Sequence, residues 1–265
     1  MSICYVTAFV ELNRNKWRRF SKQFSTYLLH FLPLVRLIKK EDKSRLIIFM
    51  DEKRFNIISR CVQDIPNITL VKINRNYLFA NSQIWRMLDT EKEIMSSMSY
   101  KRLMGKKILF PRHYNAEYTI MNHSKIDFVG LAIQFTKSEF PYYCWIDFGY
   151  FQKIDNIPNS LLDLNKLDLE KITYTLINKL NDKDRGTLYT LLKSPENIDT
   201  SFFFGKKENL LEYQLFYHYI LDLFQKSNIA DHDKHVVLKC YYIRPLNFQL
   251  VLSGGSNKAL KIFQK

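Results

Sequence analysis

YYCWIDFGY, residues Tyr142 to Tyr150, is the stretch that decides the fold prediction. Its aromatic and apolar residues predict a buried central strand, and Asp147 follows at the carboxyl end of that strand. Open α/β sheets bind their ligands at this end. A carboxylate beside an apolar strand is costly to bury alone, so Asp147 is expected to have a specific partner. Gly149 lets the chain turn tightly and leaves room for a ligand.

The sequence before this strand alternates between strand and helix patterns. The predicted elements are a strand Ile3 to Val10, a helix Trp17 to Ile38, a strand Arg45 to Met50, a helix Phe55 to Val62, a strand Thr69 to Ile73, a helical stretch Ile84 to Leu103 and a helix Glu117 to Phe135. A βαβαβ opening predicts a parallel sheet with helices on both faces, because such crossovers are right-handed.

The second half of the chain gives weaker patterns. Leu169 to Leu180 is ambiguous, and the other predicted elements are a strand Thr200 to Phe204, helices Glu208 to Phe224 and His235 to Tyr241, and a strand Phe248 to Leu252. We therefore predict an α/β fold, an α/β/α sandwich with a mainly parallel central sheet. Residues 1–252 would form one domain, and residues 253–265 a polar C-terminal tail that frays.

Composition limits the class of protein. The chain has 265 residues, of which 46% are hydrophobic and 15% aromatic, and this excludes a disordered protein. Its four cysteines are scattered without a CxxC pair, which favours a reduced, cytosolic protein without a zinc–cysteine cluster. The start lacks a basic leader, and no apolar run reaches the roughly 18 residues of a membrane span. A soluble protein, or at most one peripheral to a membrane, is expected.

The formal net charge of +14 and the pI near 9.5 favour anionic partners. Nucleotide diphosphates, an anionic membrane and nucleic acid all fit this charge. The basic residues form short groups: Lys16 to Arg19, Lys39 and Lys40, Lys106 and Lys107, Lys206 and Lys207. The charge alone is therefore equally compatible with a basic surface that is only solvated and binds no specific partner.

Several common catalytic motifs are absent. The chain has no GxGxxG, no GxxxxGK[ST] and no GxSxG. The triplet Asp147-Phe148-Gly149 matches the kinase metal-binding motif, but a catalytic HRD loop and a Gly-rich loop are missing, so we interpret the match as coincidence. After these exclusions, the remaining feature is an acid at the end of a predicted central strand. This strand follows a predicted helix that bears Lys125. This is the layout of a GT-A nucleotide-sugar transferase, in which a divalent cation neutralises the leaving diphosphate.

Several segments resemble one protein family. They are VTAFVELNR (Val6 to Arg14), PRHYN, HSKIDFVGLAI, WIDFGY, FFFGKKENLLEYQ (Phe202 to Gln214) and ADHDKHVVL (Ala230 to Leu238). Together they span most of the chain and resemble the HtrL/WlaTC (HtrL/YibB) family of bacterial glycosyltransferase-like proteins. The chain departs from the family's usual residues at Glu11 in place of Asp, Asn13 in place of Gly and Lys234 in place of Gln.

The resemblance implies a GT-A-like α/β/α sandwich. It also implies a metal-dependent glycosyltransferase that uses a nucleotide-sugar, most simply a UDP-sugar, with Mn²⁺ or Mg²⁺. The implied acceptor is a glycan or lipid-linked glycan of lipooligosaccharide, O-antigen or capsule. The implied location is the cytoplasm, with peripheral contact to an anionic inner membrane left open.

The resemblance also implies roles for individual residues. Thr7 and Ala8 would lie beside the base, Glu11 would accept from ribose or uracil, and Arg14 and Lys125 would bind phosphate. Further along, Asp147 would hold the metal and Gly149 would give the sugar access. Asp233 would contact a sugar hydroxyl or act as the catalytic base, and His235 or His232 would complete the metal shell.

Each assignment has a structural alternative. Arg14 and Lys125 would then be surface cations, Asp233 a helix cap, Asp147 an Asx-turn former, and the histidines exposed or satisfied residues. Two other functions compete with the transferase, namely single-stranded nucleic-acid binding and a degenerate transferase fold that serves only as a partner module. The sequence has no RRM, KH or helix-turn-helix signature, so a nucleic-acid partner is not expected.

Overall fold

The computed structural model describes residues 2–17, 20–193 and 195–264. Arg18 and Arg19 of the first basic group, and Lys265 of the predicted tail, lie outside these ranges. The described strands are β1 (Ile3–Phe9), β2 (Arg45–Asp51), β3 (Ile68–Ile73), β4 (Tyr142–Ile146), β5 (Ile172–Leu176), β6 (Ile198–Lys206) and β7 (Phe248–Leu252). The helices are α1 (Phe24–Lys39), α2 (Glu52–Val62), α3 (Arg75–Asn81), α4 (Gln83–Arg86), α5 (Leu88–Ser96), α6 (Met98–Met104), α7 (Ala116–His123), α8 (Lys125–Phe135), α9 (Thr187–Lys193), α10 (Lys207–Lys226), α11 (Asp233–Ile243) and α12 (Ala259–Phe263).

The seven described strands form one sheet in the order β3-β2-β1-β4-β6-β5-β7. Strands β3, β2, β1 and β4 pair in parallel, as do β5 and β7, whereas β6 runs antiparallel to both of its neighbours. This confirms the predicted fold class, an α/β fold with a mainly parallel sheet. The order reverses at β1, since the chain first builds outward to β3 and then returns to add β4 on the other side of β1.

The sheet lies between two layers of helices. Alternate residues of β1 enter opposite cores: Cys4, Val6 and Ala8 pack on one face, and Ile3 and Tyr5 on the other. Strands that are buried on both faces read as continuous apolar runs. Helices α1, α2 and α12 contribute to one core, and α4, α5, α7, α8, α10 and α11 to the other.

The predicted helical stretch Ile84 to Leu103 is divided into α4, α5 and α6. Two other predicted helices also differ clearly from the described ones. The first begins at Phe24 and not at Trp17, and Phe20 in the preceding segment has a left-handed φ of 59°. The second is divided at Ser124, whose backbone N–H and hydroxyl both donate to the carbonyl of Ile120 and end α7. Helix α8 therefore begins at Lys125, next to the carboxyl end of the sheet.

The predicted polar tail does not fray. Ala259, Leu260 and Phe263 are buried in the core that α1 and α2 share. The backbone N–H of Asn257 donates to Asp199 over 2.6 Å, and its side chain donates to the carbonyl of Tyr150. The prediction was wrong because a short helix with apolar residues at helical spacing outweighs the polar average of the segment. That residues 1–252 form a single domain stays a prediction.

Within the described residues, no helix combines the length and the apolar composition needed to cross a bilayer.

Candidate active site

A cleft of about 450 Å³ opens at the carboxyl ends of β1 and β4, where the strand order reverses. Open α/β sheets bind ligands at such switch points. The lining comes from the end of β1, the segment before α1, helices α1, α2, α7 and α8, and the end of β4. Its charged residues are four cations and two acids: Arg14, Lys22, Arg54, Lys125, Glu11 and Asp147.

Lys125 lies at the floor of the cleft between two carboxylates. Its Nζ is 3.2 Å from Oδ1 of Asp147 and 2.9 Å from Oδ2 of Asp233, and it donates to the carbonyl of Thr200 over 3.0 Å. An ammonium group has three donors, and these three partners engage all of them. The predicted contact between Lys125 and a phosphate would therefore have to displace one of them.

The charges of the floor are strongly coupled. Burial opposes the charge of Lys125, but Asp147 and Asp233 outweigh this effect and raise its pKa. Burial likewise opposes the charge of Asp233, but Lys125, and to a lesser degree His232, hold the pKa of that carboxyl well below its ordinary value. Desolvation raises the pKa of Asp147, although Lys125 and Trp145 stabilise its charged form. Two carboxyl groups thus share one ammonium in this triad.

Asp147 is the member of the triad that the cleft exposes. Its side chain is 34% accessible, whereas that of Asp233 is 8% accessible. Trp145 Nε1 donates to Oδ1 over 2.7 Å and fixes the carboxylate, and the backbone N–H of Asp147 donates to Ser201. Mg²⁺ in nucleotide sites is commonly held by one or two carboxylates together with substrate phosphates. The donor set at Asp147 fits a divalent cation of this kind.

The mouth of the cleft carries cations in an aromatic setting. Arg14 donates to the hydroxyl of Tyr27, and its guanidinium lies 5.0 Å from the ring of Trp17 and 5.5 Å from that of Tyr118. Lys22 lies 4.4 Å from the ring of Tyr27. Such rings hold a cation in place without neutralising it.

Lys22 has no ion pair with any acid in the described part of the chain. Burial and the neighbouring Arg14 lower its pKa, while Asp147 raises it. The positive charge at the mouth is therefore incompletely compensated, and an anionic ligand would stabilise it.

Local backbone geometry places these groups. Asn13 has φ 53° and ψ 36°, a left-handed conformation that Gly and Asn adopt more readily than other residues, and it turns the chain into the segment that bears Arg14. A Cβ on Gly149 would lie 2.9 Å from Cδ1 of Tyr27. Gly149 thus makes room for Tyr27, the partner of Arg14.

Glu11 is held by other protein groups. Its Oε2 forms an ion pair with Arg54 over 2.8 Å, and its Oε1 accepts from the backbone of Asn13. The backbone N–H of Glu11 donates to Asp51, which also caps α2. Its predicted contact with ribose or uracil would compete with these bonds.

The other predicted site residues divide between the cleft and the core. Ala8 lines the cleft, whereas Thr7 is fully buried and does not. Asp233 does not line the cleft but forms an ion pair with Lys125, and it accepts a hydrogen bond from the backbone N–H of Lys234.

His235 and His232 are buried beside Asp231 and do not line the cleft either. The structure therefore does not bring His235 to the cleft surface of Asp147, and the two would not share a cation there.

Four lining residues that matter for the charge of the cleft, Lys22, Tyr27, Arg54 and Tyr118, are not singled out by the sequence. The sequence pattern predicts a helix over Lys22, which lies in the irregular segment before Phe24, and Tyr27 lies in the first turn of α1. Arg54 and Tyr118 carry no local signal, because only the sheet brings them to the end of β1. The cation-rich composition of the segment from Lys16 to Lys22 was the one available clue.

Comparisons with known proteins give one family. The HtrL_YibB family, described as "Bacterial protein of unknown function (HtrL_YibB)", matches residues 1–265. Protein HtrL of Escherichia coli (strain K12) is 22% identical over 278 residues, which cover 96% of this chain and 88% of that protein.

Among solved structures, the crystal structure of mouse xyloside xylosyltransferase 1 in its apo form aligns with 95% of this chain and 85% of its own. The TM-score is 0.49 and the identity is 11%. The family match spans the whole sequence, as the VTAFVELNR and WIDFGY segments predicted, and the chain therefore belongs to the HtrL_YibB family.

Proposed function

We propose that this protein is a glycosyltransferase that takes its sugar from a nucleotide-sugar, with a UDP-sugar as the first candidate. The observation that carries the proposal is the cleft at the strand switch point. It has cations at its mouth, and Lys125 between Asp147 and Asp233 at its floor. Its volume of about 450 Å³ lies in the range of small-molecule sites. A diphosphate is the anionic group that this combination of cations suits best.

In this proposal the donor diphosphate binds at the mouth. Arg14 contributes a guanidinium that its aromatic neighbours orient, and Lys22 contributes an ammonium with no acidic partner of its own in the described chain. Both charges stabilise the negative charge that grows on the leaving diphosphate.

Asp147 would hold Mn²⁺ or Mg²⁺ together with oxygens of the diphosphate. Bound there, the cation would act as a Lewis acid on the leaving group. Lys125 keeps the Asp147 carboxylate oriented toward the cleft, and Asp233 keeps Lys125 in place. Asp233 therefore acts as a positioning residue in this arrangement, and its predicted role as a base, or in contact with a sugar hydroxyl, stays a prediction.

The family resemblance and one surface feature support a proposal for the acceptor substrate and for the location of the enzyme. Beside the mouth, the exposed rings of Phe20 and Phe110 lie 5.7 Å apart, and Leu109 and Lys106 are exposed nearby in the chain. Apolar and cationic groups together suit an anionic membrane surface. We propose a lipid-linked or cell-surface glycan acceptor, with the enzyme cytoplasmic and peripheral to the inner membrane.

The burial of aromatic residues favours the transferase over the nucleic-acid-binding alternative. Of the 39 Phe, Tyr and Trp residues of the chain, 23 are buried in the described part of the structure, so most of the large rings serve the core and are unavailable to stack on bases. The two functions would also differ in solution, since steep salt dependence is expected of nucleic-acid binding and a requirement for divalent cation is expected of the transferase.

The substitution Asp147→Asn tests the proposal. It keeps an oxygen for Trp145 and leaves Lys125 paired with Asp233, so the free energy of unfolding should hardly change. Release of UDP from UDP-sugars should fall roughly 100-fold or more at saturating Mn²⁺, as is usual when a group that stabilises transition-state charge is removed.

Asp89→Asn is the matched control, because Asp89 is an exposed acid far along the chain from the cleft residues. Its turnover should equal that of the wild type. Near-normal turnover of Asp147→Asn would contradict the assignment of Asp147. Salt-sensitive binding of an oligonucleotide, without any UDP binding, would favour the alternative function.

A further inference from the structure

Histidines are unusually concentrated in the core of this protein. The chain has six, and five of them are buried: His113, His123, His218, His232 and His235. His232 and His235 stand together at the start of α11, with ring centroids 4.1 Å apart. Neither ring lines the active-site cleft.

One nitrogen of each of these two rings faces a carboxylate. Nδ1 of His235 lies 2.7 Å from Oδ2 of Asp231, and Nδ1 of His232 lies 3.8 Å from Oδ1 of Asp233. A carboxylate at Nδ1 sets the tautomer and orientation of an imidazole, and this arrangement is typical of histidines whose Nε2 binds a metal.

The other nitrogen of each ring has no partner. Nε2 of His232 and Nε2 of His235 are both buried without a hydrogen bond among the described residues. A buried nitrogen without a partner has lost its hydrogen bond to water and gained none in return, and native proteins rarely leave one in that state. By contrast, His123 in the same region binds Tyr217 through Nδ1 and the carbonyl of Asp231 through Nε2.

We propose that His232 and His235 bind one divalent metal ion of the zinc type through their Nε2 atoms, at a site separate from the cleft, while Asp231 orients His235 through Nδ1. One potential ligand atom from each of these three residues lies within 4.8 Å of the others, so the group is compact. Imidazole nitrogens select Zn²⁺ over Mg²⁺ or Mn²⁺, which prefer oxygen ligands. Both unpartnered nitrogens would gain a ligand bond at once.

The location indicates a structural role. Asp233 lies between the two histidines in sequence, and it is the residue that holds Lys125 at the cleft floor. A metal bound by His232 and His235 would fix the first turn of α11 and with it the position of Asp233. Asp231, His232 and His235 are all buried, which suits a structural ion and not one that meets substrate.

The test is metal uptake by the full chain without any affinity tag. Protein treated with a chelator and dialysed should take up one equivalent of Zn²⁺ in a calorimetric titration, and elemental analysis should find one ion per chain. Co²⁺ in the same protein should give the visible absorption bands of a four-coordinate site. His232→Gln and His235→Gln should each weaken Zn²⁺ binding at least 100-fold.

Two variants separate this site from others. His218→Gln removes a buried histidine whose Nε2 lies 2.5 Å from Asp127, and it should keep the full equivalent of Zn²⁺. Asp147→Asn should keep it as well, so that the metal site and the proposed function can fail independently. If His235→Gln does not fold, His232→Gln carries the test, since its Nδ1 contact is the longer of the two.

The proposal is overturned if the chelator-treated protein takes up no Zn²⁺, or if both variants bind it as tightly as the wild type. Uptake that His218→Gln abolishes equally would also overturn it.

Discussion

The mouth and the floor of the cleft use the same kinds of residue in different ways. At the mouth, Arg14 and Lys22 are partly exposed and held by aromatic rings, with no carboxylate bound to either among the described residues. At the floor, Lys125 is buried and all its donors are engaged by Asp147, Asp233 and a backbone carbonyl. A buried cation between carboxylates is part of the structure, whereas a partly exposed one without an acidic partner is available to a ligand.

This difference predicts opposite consequences of removing a cation. Loss at the floor leaves buried carboxylates without compensation and should lower stability. Loss at the mouth removes no ion pair and should lower ligand affinity with little change in stability.

The largest effect is expected for Lys125→Met, which keeps the volume of the side chain and removes its charge. Asp233 and Asp147 would then be uncompensated, and breaking a buried ion pair in this way typically costs about 3 to 5 kcal/mol. Urea unfolding at pH 7 would measure the loss.

Adding Asp233→Asn to Lys125→Met should restore part of that stability, because it removes the charge that lost its partner. Lys106→Met, at an exposed lysine, is the control and should leave the urea midpoint unchanged. A loss of less than about 1 kcal/mol for Lys125→Met would mean that the floor ion pairs contribute little to the fold.

The sequence predicted the floor better than the mouth. Asp147 was identifiable because an acid and a glycine follow a buried apolar strand, and this pattern is local. The pairing of Lys125 with Asp233 was not, because it depends on where α11 packs against β6. The predicted fold class was confirmed, since periodicity of β1 to β4 is strong, but the antiparallel insertion of β6 between β4 and β5 has no local signal.

Glu91 shows what happens to a buried carboxyl group that has no cation among the described residues to compensate its charge. Glu91 is fully buried, has Gln225 as a hydrogen-bond partner at 2.8 Å, and forms no ion pair in the described chain. Burial raises its pKa from 4.5 to about 8, and Gln225 only partly offsets this. Above pH 4.5 the unfolded chain loses the proton while the folded protein keeps it, so stability falls as the pH rises toward 8.

Glu91→Gln should remove this dependence. Relative to the wild type, the variant should be equally stable near pH 4.5 and more stable by roughly 2 to 4 kcal/mol near pH 8. Urea unfolding at a series of pH values would show the difference, with Asp89→Asn as a control at an exposed acid. A wild-type curve that rises between pH 5 and 8 relative to the variant would contradict the buried, protonated state.

At the mouth, Arg14→Ala should weaken UDP binding by roughly 10- to 100-fold, since a charge-assisted bond to phosphate contributes about 1.5 to 3 kcal/mol. Lys22→Ala should act in the same direction. Isothermal titration at constant metal would measure both, and Lys39→Ala should have no effect, because Lys39 lies at the opposite end of the sheet. Equal and small changes in all three variants would show that the mouth cations do not bind the donor.

The smallest effect is expected for Gly149→Ala, which tests whether the mouth depends on the packing of Tyr27. The added Cβ would lie 2.9 Å from Cδ1 of Tyr27, closer than carbon atoms tolerate, so the ring must move by a few tenths of an ångström. Tyr27 accepts a hydrogen bond from Arg14 and lies beneath Lys22, so both cations should shift with it. UDP affinity should fall about 3- to 10-fold, less than in Arg14→Ala, with a stability loss of about 1 kcal/mol from overpacking.

In a double variant with Arg14→Ala the two effects should not add, because both act on the same guanidinium. Full additivity in the titration would show instead that Gly149 contacts the donor directly, as the sequence first suggested.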